Sequence, residues 1–174
     1  VYAAHVAWLT GKPHIVLEDS FNMEQVRLYL PFSSAVITGN YPHPDLGAKE
    51  IRIPSYLEMA YLHPLYFTPD KEINKELNVK EGGKYFILRF VSWNASHDLG
   101  QTGLTLNIKR ELIELLKNYG HIFISSEAEP GIDFKQYSFP LPPEKMHDAL
   151  HSAHLFIGEG ATMASESAIL GTMA

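Results

Sequence analysis

Phe156-Ile157-Gly158-Glu159-Gly160-Ala161-Thr162-Met163-Ala164-Ser165-Glu166 is the stretch on which the reading of this chain turns. A short apolar strand, Leu155-Phe156-Ile157, opens into two glycines and then a helix that runs to Leu170 and stops at Gly171. The glycines are expected to let the backbone turn sharply, and small Ala161 and Ala164 to let a ligand approach closely. Free N–H groups at such a helix start point at an anion, which the helix dipole also favours. Gly158, Gly160, Ala161, Thr162 and Met163 are therefore candidate diphosphate-binding residues. Glu166 lies about one turn in, with its side chain directed back toward the helix start, where a carboxylate can accept hydrogen bonds from paired ribose hydroxyls. A plainer reading stays open: Thr162 is only an N-cap, the glycines only permit tight packing, and Glu166 only answers the dipole. Met163 stands where the third glycine of a dinucleotide fingerprint would be, so that fingerprint is not met.

Working outward, the same alternation recurs. Tyr85–Val91 and His121–Ser125 read as strands, with a helix between them carried by Ile108, Leu112, Leu115 and Leu116 and ended at Tyr119-Gly120. Pro142 and Pro143 introduce a helix through Leu150. In the first half, Val1–Leu9 is helical and stopped by Thr10-Gly11-Lys12-Pro13. His14–Leu17 and Ala35–Thr38 are short buried strands around a helix from Asn22 to Leu30, and Ile51-Arg52-Ile53 is a third strand. Between the halves lies an aromatic, proline-punctuated connector with a charged helix, closed by Glu81-Gly82-Gly83. The expectation is an α/β protein of Rossmann-like parallel sheets with flanking helices. Residues 1–69 would be the latter part of one such domain plus the connector. Residues 70–174 would be a second, ligand-binding domain, and both ends read as cut from something larger.

In a parallel sheet, loops at the carboxyl ends of neighbouring strands converge on one crevice. That brings the loop from Ser92 to Gly103 into play, where Ser96, His97, Asp98 and Gln101 offer an acid/base group and hydrogen-bonding groups. It is equally readable as a hydrophilic connector over Trp93. Glu18 and Asp19 end the first strand and are either a base with its orienter or caps for the next helix. His147 and His151 share a helix face with His154 beyond it, but the metalloprotease Glu is missing after His147, and no metal site is expected.

Composition narrows the function classes. In 174 residues, 14 Lys+Arg stand against 20 Asp+Glu, giving a net charge of −6. With no basic run, a phosphate-backbone binder is disfavoured. Cysteine is absent, which removes disulfides, thiolate metal sites and Cys nucleophiles. No apolar segment approaches a membrane span, and no signal peptide opens the chain, so the expectation is a cytoplasmic protein. There is no Asp-x-Asp pair of the kind that holds a diphosphate through a metal, no nucleophile elbow, no Gly-Lys-Ser/Thr phosphate loop and no kinase signature.

Three stretches carry a family resemblance. They are Ala60-Tyr61-Leu62-His63-Pro64 with Tyr66-Phe67-Thr68-Pro69, then Leu88–Asp98, and Phe156–Glu166. On them the chain resembles a prokaryotic domain-of-unknown-function family, number 354, described as predicted glycosyltransferases, with His154 departing from that family's usual Asp. The family is in turn similar to the GT-B superfamily, which includes metal-independent glycosyltransferases and UDP-N-acetylglucosamine 2-epimerases. That resemblance implies two Rossmann-like domains facing a cleft and a nucleotide sugar, UDP-linked, as substrate rather than cofactor. By position it implies Gly160 to Met163 on the diphosphate, Glu166 on the ribose, and the loop with Ser96, His97 and Asp98 over the sugar diphosphate. His14–Asp19 resembles the epimerase strand that ends in a catalytic acid, so Glu18, Asp19 or His97 would be the base. The function expected is a metal-independent GT-B glycosyltransferase; the alternatives are an epimerase-like enzyme, or a non-catalytic nucleotide-sugar-binding or assembly protein. Peripheral membrane contact and a homo-oligomer are left open.

Overall fold

The computed structural model describes residues 1–91, 103–126 and 132–174. The chain divides into two units, Val1–Tyr61 and Leu62–Ala174.

In the first unit, α1 (Tyr2–Leu9) ends at Thr10, and Gly11 beyond it takes the left-handed φ of 64° that a Cβ would disfavour. β1 (Ile15–Leu17) and β2 (Ala35–Gly39) flank α2 (Met23–Tyr29), and β3 (Glu50–Ile53) completes a parallel sheet of order β1-β2-β3. Asn22 is the N-cap of α2, its side chain accepting from the backbone of Glu24 at 3.2 Å. Val26 and Tyr29 of α2, Ala4 of α1 and Val36 of β2 form the small core. α3 (Met59–Leu62) spans the division between the units.

The second unit is built on β4 (Tyr85–Phe90), which pairs in parallel with β5 (His121–Ser126) on one side and β6 (Leu155–Gly158) on the other. A strand paired on both sides and covered on both faces should be an unbroken apolar run, and Tyr85-Phe86-Ile87-Leu88 is one. Alternation along β4 sorts its side chains to two cores. Phe86, Leu88 and Phe90 join Ile113 and Leu116 of α5 (Leu106–Leu116). Tyr85 and Ile87 join Ala149 and Leu150 of α6 (Met146–Ser152), Ile73 of α4 (Ile73–Glu76), and Met163 and Leu170 about α7 (Ala161–Ile169). Helices thus lie on opposite faces of a parallel sheet of order β5-β4-β6, a Rossmann-like arrangement. Short 3₁₀ turns at Ile132–Tyr137 and Pro143–Lys145 fill the path from β5 to α6. No helix of the described residues is long and apolar enough to cross a membrane.

Candidate functional site

The strand order reverses at β4: the chain leaves it for β5 on one side and later returns to its other side as β6. Where the order reverses in an open parallel sheet, the connections part to opposite faces and leave a crevice outside the strands' carboxyl ends. Here that place is bounded by Arg89–Val91 and by Gly158–Met163.

α7 starts there on Gly160, an N-cap in extended conformation, φ −126° and ψ 146°, that has no side chain to bond the first amides. Ala161 and Thr162 are exposed, and the first amides of a helix carry the positive end of its dipole. Thr162 sits inside the helix and is not the cap. The glycines also work differently from the sharp turn expected of them. Neither has a positive φ. Gly158 is the last residue of β6, and a Cβ there would overlap the Phe156 ring and come within 3.2 Å of Arg89 Cβ. Gly160 has room, its nearest neighbour being Val91 Cγ2 at 3.8 Å.

Glu159, between them, is turned to structural use. Its carboxylate accepts from the backbone of Val91 at 2.8 Å and of Leu104 at 2.5 Å, and Lys109 Nζ lies 3.3 Å away. Lys109 also sits 4.4 Å over the Phe90 ring. Glu159 therefore binds the end of β4 to the segment entering α5, and its charge is met by Lys109.

Beside the helix start lies a hollow of about 460 Å³, within the range of small-molecule sites. Arg89, Ser125, Ser138, Phe139, Met163 and Glu166 are among its walls. The register pairs Arg89 with Ser125, and Arg89 Nη1 donates to Ser125 Oγ at 2.7 Å. Met163 belongs both to the first turn of α7 and to the lining of this hollow. Glu166 is 8% exposed, and His147 Nε2 on α6 lies 3.1 Å from its Oε1. The Glu166 carboxylate raises the His147 pKa above its ordinary value against the opposing effect of burial. Phe67 meets the same imidazole edge-on at 6.1 Å.

In the first unit, Glu18 is 7% exposed and fully engaged locally. Oε1 accepts from Phe21 N at 2.7 Å and from both Ser20 N and Ser20 Oγ at 3.0 Å, while Oε2 takes the Tyr29 hydroxyl. Burial pushes its pKa up, but those donors outweigh burial and hold it below the usual carboxylate range. Glu18 thus braces the turn that leads to the Asn22 cap. Asp19 is exposed just beyond β1. Ser96, His97 and Asp98 lie outside the described residues.

The histidines considered for a metal go elsewhere. His147 meets Glu166, His151 Nδ1 lies 3.0 Å from Leu170 O, and His154 stands against the Phe86 ring. Among the described residues no group of three or more His, Asp or Glu is placed to hold a metal.

Sequence reading passed over Arg89 and Ser125 as site residues. The available signal was a single cation near the carboxyl end of an otherwise apolar strand, Phe86-Ile87-Leu88-Arg89-Phe90. It passed over the His147–Glu166 pair because the two residues come from different helices.

A family model described as protein of unknown function (DUF354) matches residues 4–174. No curated protein matches the chain.

Proposed function

The chain belongs to the DUF354 family, and from that premise we propose that it binds a nucleotide sugar and acts as a metal-independent glycosyltransferase of the GT-B type. One observation carries the reading: a helix that starts on a glycine at the sheet's point of reversal shares its first-turn Met163 with a hollow that has the Glu166 carboxylate in its wall. The amides of Ala161, Thr162 and Met163 would cradle the diphosphate, and Glu166 would accept the ribose hydroxyls. Arg89 adds a cation in the same hollow. Catalysis would then rest on positioning and on stabilisation of the departing diphosphate by fixed amides. The proton acceptor in this reading is His97.

A second reading, binding or assembly without turnover, is favoured by Glu18. An epimerase-like step needs a carboxylate ready to take a ring proton, and Glu18 already serves Phe21, Ser20 and Tyr29.

Thermal shift and calorimetry on the protein, in chelator, with UDP, GDP, CDP and UDP-N-acetylglucosamine test both readings. At least one nucleoside diphosphate should stabilise it without metal, and Glu166→Ala should weaken that ligand by about 1–3 kcal/mol. Binding without sugar transfer or epimerisation supports the second reading. No binding by any of the four overturns both.

A further inference from the structure

One neighbour of the second unit's hollow has no task in the nucleotide reading. His147 on α6 does not line that space, yet its Nε2 lies 3.1 Å from Oε1 of Glu166, which does. Against a carboxylate the ring nitrogen is the donor.

His147 is itself held from several sides. Ala149 and Leu150, which follow it on α6, are fully buried in the core shared with Tyr85 and Ile87. Asp148 Oδ1 accepts the backbone N–H of Asp70 at 2.8 Å, which pins α6 to the segment ahead of α4. Phe67, from that same segment, meets the imidazole edge-on at 6.1 Å. A side chain fixed by packing and by its own partners can hold a second one in a narrow geometry.

Glu166 is 8% exposed, and burying a carboxylate is costly. Joining α6 to α7 does not require one, because Met146 and Leu150 of the first helix already share an apolar cluster with Met163 and Ala164 of the second. Apolar residues do such a task as well or better than an ion pair. The carboxylate stands instead in the wall of the hollow, one helical turn from Met163 in the same wall. A carboxylate accepts at about four positions, so Glu166 can bond His147 and a sugar hydroxyl together.

We propose that His147 is a positioning residue for the sugar: it holds the Glu166 carboxylate in the orientation that accepts ribose hydroxyls, and so sets the site's preference for ribonucleotides. The proposal rests on the reading of the hollow as a nucleoside-diphosphate site. It goes beyond that reading by assigning sugar discrimination to a residue that acts through Glu166.

The test is calorimetry on the full chain, in chelator, with UDP, GDP and CDP, each against its 2′,3′-dideoxy counterpart. Wild type should bind at least one of the three about tenfold or more tightly than the matching dideoxy form. His147→Leu should weaken the ribose form by about tenfold and leave the dideoxy form within about twofold, so that the preference collapses. A merely structural role would weaken both forms together. Should His147→Leu fail to fold, the imidazole NMR signals of His147 in the wild type decide: they should move with the ribose ligand and stay in place with the dideoxy one, and a like response to both overturns the proposal. Equal affinity of wild type for the two forms, equal loss of both in a folded His147→Leu, or an unchanged preference in that variant overturns it as well and leaves the diphosphate reading standing. No binding by any of the three nucleoside diphosphates overturns both.

Discussion

His147 on α6 and Glu166 on α7 join two helices that sequence alone leaves unrelated, with Nε2 3.1 Å from Oε1 at the wall of the hollow. The pair ties the candidate ribose acceptor to a titrating group.

Because Glu166 raises the folded-state pKa of His147 above the ordinary 6.5, the pair stabilises the fold through the protonated imidazole. That stabilisation is complete below about pH 6.5 and lost as pH rises through the raised value, provided Glu166 is ionised. The melting-temperature gap between wild type and His147→Gln should be larger at pH 6 than at pH 9. The pair is part-exposed, so the pH-dependent component should stay below about 1 kcal/mol. A gap equal at both pH values would mean that His147 contributes by packing alone.

Gly160→Asp should separate stability from binding. Gly160 has room for a side chain, and an Asp N-cap is worth a few tenths of a kcal/mol over Gly. The new carboxylate would take the helix amides and repel a diphosphate, so the variant should melt slightly higher and bind nucleoside diphosphate at least about tenfold more weakly. Higher stability with unaltered calorimetric affinity would place the anion elsewhere.

Glu159→Ala should be the most damaging change at this end of the sheet. It leaves the amides of Val91 and Leu104 without their acceptor and Lys109, 16% exposed in its side chain, without its counter-charge. Urea denaturation should show a loss of about 3 kcal/mol or more. A loss within the scatter of surface substitutions would contradict the bonding described for it.

Glu18→Gln probes the other carboxylate. Its folded-state pKa is depressed by its donors, so its contribution is present above the unfolded value near 4.5 and disappears as pH falls through the folded one. At pH 7 the variant should be destabilised by about 1–3 kcal/mol, and the gap should close in acid. Equilibrium unfolding at pH 7 and below pH 3 measures both ends; a gap that persists in acid would count against the ionised network.

The fold was legible because its signals are local. Apolar runs such as Tyr85–Leu88 and turn residues such as Gly11 and Gly120 mark the elements one by one. The helix start at Gly160 was legible for the same reason, since strand, glycine and helix follow one another in sequence. What escaped is what topology brings together. Arg89 meets Ser125 through strand register, Glu159 meets Lys109 across a crossover, and His147 meets Glu166 between helices. At Gly158 the packing reading holds and the sharp-turn one does not, because its need is for space against Phe156 and not for an unusual φ.

The placement of β4 between partners that come much later has a consequence for synthesis. Phe86 pairs with Ile122 on one edge of the strand, but its other edge waits for Leu155, and Phe156 N is in turn held by Met173 O at 2.8 Å. On the ribosome, the most deeply buried strand of the second unit therefore emerges before its partners and stays half-clad until β6 has followed it out of the exit tunnel. This stretch is where a nascent chain would need shelter, and where slow translation would do most harm.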